Sequence, residues 1–222
     1  MMKVNFLGHA AFLLEDKGVG LVFDPFLTGN PQATAKPQDL KVDYILVSHA
    51  HHDHLGDAVD IARRNGATIV STAEVAGLCA KQGAQTAAMH IGGRNPFAFG
   101  TVRIVQAFHG AGVEGGHACG FIVNFFGHSV YFAGDTGIFG DMELFGRLEP
   151  LELALLPIGG NYTMGIDDAV LAAEMLKPKA IIPMHYNTWP VIQANPEEFR
   201  QKIQARQAVE VRILAPGQST EF

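Results

Sequence analysis

Apolar residues recur along this chain in short blocks. Their spacing predicts strands alternating with helices at both ends and strands alone in the middle. Val4–Leu14 and Gly20–Asp24 read as two strands separated by the turn-prone Glu15–Gly18. Leu27–Leu40, rich in Thr, Gly, Asn, Pro and Gln, reads as a surface loop. The run Val42-Asp43-Tyr44-Ile45-Leu46-Val47 reads as a buried strand leading straight into a histidine cluster. Leu55, Ala58, Val59 and Ala62 keep helical spacing, which predicts a helix over Leu55–Asn65 ended by Gly66. A strand at Ala67–Val70 follows. Ser71-Thr72-Ala73-Glu74 then has the form of a capping box, opening a helix that runs to Lys81.

In the middle third, Gln85–His90, Phe97–Phe108, Gly120–Phe126 and Ser129–Ala133 read as strands, the last two joined as a hairpin across Phe126-Gly127-His128. A short helix near Met142–Arg147 precedes a strand at Leu153–Leu156. The end alternates again: helix Asp167–Leu176, strand Ala180–Met184, helix Pro196–Arg206, strand Val209–Leu214. A purely parallel sheet would leave the central hairpin unexplained. The pattern predicts an α/β (α+β) fold of two packed sheets with helices outside, in four layers. No break in composition marks a linker, so residues 1–222 are expected to form a single domain.

Composition narrows the classes. With 222 residues, 48% of them hydrophobic and 17% charged, the chain is not a disordered one. The balance of 16 Lys+Arg against 22 Asp+Glu gives a net charge of -6, which argues against a nucleic-acid polymer as partner. No apolar run approaches the roughly 20 residues of a spanning helix, so no membrane partner is expected. The opening segment is interrupted by Asn5, Gly8 and His9 and reads as a strand rather than an export signal. Cys79 and Cys119 form no Cys-x-x-Cys pair and are expected as buried, reduced thiols of a cytoplasmic protein.

One stretch carries chemistry: Ser48-His49-Ala50-His51-His52-Asp53-His54, at the carboxyl end of a hydrophobic strand, where α/β proteins place their ligands. In extended backbone His49 and His51 point the same way, and a turn lets Asp53 and His54 face a second point close by. Imidazoles with a carboxylate suit zinc, manganese or iron. Other polar residues also end apolar strands. His109 follows Val102–Phe108, Asp135 follows Ser129–Ala133, and His185 follows Ala180–Met184. All are expected on one rim. No Gly-x-Ser-x-Gly elbow or P-loop offers a rival machinery.

Together, His49, His51, Asp53, His54, His109, Asp135 and His185 resemble the seven-ligand signature of the metallo-β-lactamase superfamily. The resemblance covers essentially the whole chain, including Asp24-Pro25. It implies an αββα sandwich with a two-metal site at one edge. His49, His51 and His109 would hold one ion, Asp53, His54 and His185 the other, with Asp135 bridging and Asp24 anchoring the ligand loop. Gly8-His9-Ala10, Gly134-Asp135-Thr136, Leu156–Gly165 and Pro183–Thr188 narrow the likeness to small metal-dependent hydrolases related to ascorbate-6-phosphate lactonase. Two departures stand out: His117 in the loop after Val113, and Gly160 where an acidic residue is expected.

The resemblance implies hydrolysis of a small-molecule ester, lactone or phosphodiester by hydroxide held between two divalent ions, zinc or manganese rather than iron. Asp53, His9 and Asn161 are the candidate catalytic residues, with Tyr162, Thr163, Tyr186 and Asn187 as further candidate substrate contacts. A diiron redox protein on this fold typically carries Glu where His51 stands and needs a flavin domain. A non-hydrolytic metal-binding or regulatory protein is the other alternative. The expected partner is a small molecule, and assembly into a homo-oligomer is left open.

Overall fold

The computed structural model describes all 222 residues. Its strands form two seven-stranded sheets. The first contains β1 (Lys3–Gly8), β2 (Ala11–Asp16), β3 (Val19–Phe23), β4 (Tyr44–Leu46), β5 (Thr68–Thr72) and β6 (Gln85–Met89), paired in that order. The second contains β7 (Arg94–Phe97), β8 (Gly100–Gln106), β9 (Cys119–Phe125), β10 (His128–Phe132), β11 (Leu153–Pro157), β12 (Ala180–Met184) and β13 (Glu210–Val211). A last strand, β14 (Ser219–Glu221), crosses back to lie antiparallel to β1. Each sheet is half antiparallel and half parallel, with β3–β6 and β10–β13 the parallel halves.

Helices cover the outer faces. The one-turn α1 (His52–Leu55), α2 (Ala58–Asn65) and α3 (Ala73–Lys81) belong to the first sheet. The second sheet carries α4 (Met142–Leu148), α5 (Ile166–Leu176) and α6 (Pro196–Gln204). The result is the expected αββα sandwich. No helix is long and apolar enough to cross a membrane.

Alternation along β2 shows how one strand serves two interfaces. Phe12 and Leu14 face the second sheet, while Ala11 and Leu13 face the helices. Where both faces are buried, the strands read as continuous apolar runs, as in Leu153–Pro157 and Ala180–Met184. Between the sheets, Phe23 stacks on Phe132 with ring centroids 4.6 Å apart. Each such fully buried ring contributes about 1.5–3 kcal/mol. Both cysteines are free and buried, and the Cys119 thiol donates to the Ser48 carbonyl at 3.2 Å.

Several boundaries differ from the sequence reading. Val4–Leu14 is two strands, because Gly8 (φ 113°) and His9 (φ 59°) turn the chain back on itself. Phe97–Phe108 is likewise broken at Ala98-Phe99, and Arg94–Phe97 forms a strand of its own. The capping box does not form. Ser71 still belongs to β5, paired with Ala88, and its hydroxyl donates to the Val47 carbonyl at 2.6 Å. The strand expected at Val209–Leu214 shrinks to two residues. Beyond it, Arg212 turns its guanidinium onto Thr220 and the Glu221 carbonyl, drawing the chain toward β14, which has too little apolar content to be read from sequence.

The helix expected over Leu55–Asn65 is interrupted at Gly56 (φ 42°). A Cβ there would stand 2.6 Å from both the Pro25 carbonyl oxygen and Phe26 Cα, so only glycine lets the ligand loop lie against the segment after β3. Gly56→Ala is expected to lower unfolding free energy by about 2–4 kcal/mol through strain and overpacking. Urea denaturation reads this, and an unchanged midpoint would contradict the close approach.

Candidate metal centre

The parallel halves of both sheets end at the same edge, and the polar residues expected there meet. His49, His51 and His109 bring ligand atoms within 4.8 Å of one another, and so do His9, Asp53, His54 and His185. Asp135 lies between these groups. Its Oδ2 is 3.5 Å from His109 Nε2 and 3.1 Å from His185 Nε2, and its Oδ1 is 3.1 Å from His54 Nε2. Each group draws side chains from both sheets: His49, His51, Asp53 and His54 follow β4, whereas His109, Asp135 and His185 follow β8, β10 and β12.

Backbone strain concentrates at this edge. Of the non-glycine residues with positive φ, His9, Asp24, Asn161, His185 and Asn187 all lie in its loops. Such conformations cost about 1–3 kcal/mol each and persist only where surrounding contacts hold them. Asp24 shows how. Its Oδ1 accepts the Ser48 backbone N–H at 2.7 Å, and its Oδ2 accepts from the Ser48 hydroxyl at 2.5 Å and from His54 Nδ1 at 2.6 Å. With its proton given to Asp24, Ser48 Oγ accepts from His49 Nδ1 at 2.9 Å. One carboxylate thus sets both tautomers, directly for His54 and through Ser48 for His49, and turns both Nε2 lone pairs inward.

Those inward atoms make no aligned hydrogen bond with the protein, although His54 and His185 Nε2 stand within ion-pair distance of Asp135. His49 Nε2, His54 Nε2, Asp135 Oδ1 and His185 Nε2 are all buried without a hydrogen bond. Left so, each would cost about 1–3 kcal/mol. A borderline cation with imidazole and carboxylate donors would satisfy them together, so the residues present fit a divalent metal.

The electrostatics agree. Burial, with His54 nearby, pushes His49 down to about 2 and keeps it neutral, as a ligand must be. Burial also lowers His109. For His54 burial opposes charge, yet Asp135 and Asp24 outweigh it and hold the imidazole well above its usual range, so a cation that binds there would displace a proton from Nε2. Burial opposes charge on Asp135 as well, but His54 and His185 keep it ionised. A negative pocket of this kind favours a cation.

A cavity of about 220 Å³ opens onto the centre, lined by His51, Asp53, His109, Asp135, His185 and Tyr162. A larger open groove of about 520 Å³ lies at the N-terminal ends of α5 and α6 and contains none of the clustered histidines. Among the other sequence candidates, Asn161 is exposed and does not line the cavity, whereas its neighbour Tyr162, 55% exposed, does. His9 is fully buried against His185 and Trp189. Tyr186 and Asn187 line a separate groove with Phe6 and Leu214, and Asn187 also closes its own loop by accepting from Ala194 N–H. Sequence reasoning passed over Gln32, which belongs to no motif, and gave no role to Thr188, the last residue of the Pro183–Thr188 motif; both contact His9.

The profile of the Beta-lactamase superfamily domain matches residues 3–185. The chain belongs to this family. Among superfamily members, a UPF0173 metal-dependent hydrolase of Pelotomaculum thermopropionicum is 54% identical over 229 residues, covering 100% of both chains. One from Natranaerobius thermophilus is 49% identical over 221 residues, again covering 100% of both. Among solved structures, Igni18, a metallo hydrolase from Ignicoccus hospitalis, superposes with a TM-score of 0.93 at 40% identity, covering 100% of this chain and 99% of that one.

Asp24→Asn keeps the shape of the anchor but removes its charge and one acceptor. It is expected to weaken metal binding about 10–100-fold. Competition with a chromophoric chelator measures this, and parental affinity would refute the anchoring role of Asp24.

Proposed function

We propose that this chain is a metal-dependent hydrolase with a dinuclear centre, acting on a small ester or lactone. The observation that carries this reading is Asp135, set between two histidine groups whose buried, inward-facing nitrogens have no other partner. His49, His51 and His109 would hold one divalent ion, Asp53, His54 and His185 the other, and Asp135 would be shared. When bound, such ions lower the pKa of a coordinated water from near 16 to about 7 and polarise the scissile group. Names of relatives at about half identity over the full chain support the hydrolase class.

The protein's own residues supply the rest. Asp53 is part-exposed to the cavity, and its carboxylate is placed to accept a proton from water there. The Tyr162 phenol, at the mouth, is placed to donate to a carbonyl oxygen that gains charge. No lysine or arginine lines the cavity. A substrate with a second phosphate or a carboxylate would find no cationic side chain there, which favours an uncharged ester or lactone over a nucleotide phosphodiester.

Purified protein is expected to carry about two zinc or manganese ions and to cleave uncharged esters or lactones faster than phosphodiesters. Asp135→Ala is expected to release at least one ion and lower turnover more than 100-fold. Metal analysis with a substrate panel reads both. Bound iron with oxygen consumption, or full turnover by the variant, would overturn the reading.

A further inference from the structure

We propose that His9 is a positioning residue for Asp53, held from behind by Thr188 and Gln32; this rests on Asp53 serving the centre as proposed above. His9 cannot meet a substrate. Its side chain is fully buried, with its ring centroid 4.1 Å from that of His185, 5.0 Å from Trp189 and 5.9 Å from Phe26. It acts through its neighbours. His9 Nε2 lies 3.3 Å from Asp53 Oδ2, and this is the only hydrogen bond the Asp53 carboxylate receives from the protein. Asp24, by contrast, has three donors. Without His9, no protein hydrogen bond fixes the rotation of a carboxylate that is 25% exposed.

Proton counting assigns the tautomer. Gln32 Nε2 donates to the Tyr186 carbonyl at 3.1 Å, which orients the amide, and Oε1 then accepts the His9 backbone N–H at 3.0 Å. Thr188 has one hydroxyl proton and two neighbours for it, His9 Nδ1 at 2.7 Å and Gln32 Oε1 at 3.2 Å. Were that proton given to Gln32, Nδ1 would carry the imidazole proton and a bare Nε2 lone pair would face an anionic oxygen. Donation to Nδ1 removes the conflict. Nε2–H then points at Asp53.

The backbone of the same residue reaches across to the other sheet. The His9 carbonyl accepts the His185 N–H at 2.8 Å. His9 therefore sets Asp53 with its ring and His185 with its main chain, one candidate ligand following each sheet. Its positive φ (59°) in the two-residue β1–β2 turn makes both contacts available at once.

Long-range nitrogen–proton NMR on the metal-stripped protein reads the tautomer directly. The His9 ring is expected protonated at Nε2 and bare at Nδ1; the reverse would overturn the proposal. Zinc titration against a chelator then tests the consequence. His9→Phe, which keeps the bulk, is expected to weaken one of two zinc equivalents about 10–100-fold and leave the other unchanged. His9→Gln, which keeps a donor, should recover most of the loss. Parental affinity in His9→Phe, or equal weakening in both variants, would count against the role. If His9→Phe fails to fold, Thr188→Val carries the test: the His9 tautomer should shift there and stay put in Thr188→Ser. A parent protein that binds no zinc would overturn the dinuclear reading, while the NMR arm would still decide the hydrogen bond.

Discussion

Bringing unpaired imidazole nitrogens and carboxylate oxygens together out of water is the constraint that organises this molecule. Like histidines repel if protonated, and lone pairs that face each other gain nothing, so the arrangement has to be imposed by the frame around it. Asp24 imposes much of it. Buried and triply bonded, it fixes Ser48, His49 and His54 at once, and Gly56 allows the next turn of chain to close over the Pro25 segment. Without that frame, the cost of four orphaned polar atoms would be a sizeable fraction of the stability of a domain this size.

The histidine cluster was legible because it obeys two simple rules. Its residues stand where apolar strands stop, and their alternation in extended backbone is fixed. The same rules found His109, Asp135 and His185 from far along the chain. Reading failed where local geometry depended on a distant neighbour. His9 sits inside what looks like one apolar strand, Val4–Leu14, and only pairing across the turn shows the chain reversing there. The Ser71–Glu74 pattern fits a helix start, but the β5 ladder and the Val47 carbonyl claim Ser71 first. Gln32 and Thr188 have no meaning until the loops that carry them are brought against His9. Tyr162 outranks Asn161 at the cavity only because of a turn whose shape the sequence does not encode locally.

The site illustrates a division of labour common on such edges. Strands supply position, since their ends are held by ladders and by two apolar interfaces. The loops supply orientation, and they do so with strained residues. Aligned positive φ at His9, Asp24 and His185 is affordable only because Gln32, Ser48 and the His9 carbonyl hold these residues in place. Variation in the loops around Tyr162 and Asn161 would alter what enters the cavity without disturbing the frame.

Each histidine group recruits side chains from both halves of the sandwich, in a chain whose two thiols stay free. Coordination at this edge would thus act as a cross-link, closing long stretches of polypeptide between fixed points much as a disulfide closes a loop. Ion affinity and resistance to unfolding would then be linked, since an ion that binds only the assembled edge adds its binding free energy to that of the apolar core. Starving such a protein of metal would loosen its architecture as well as silence it.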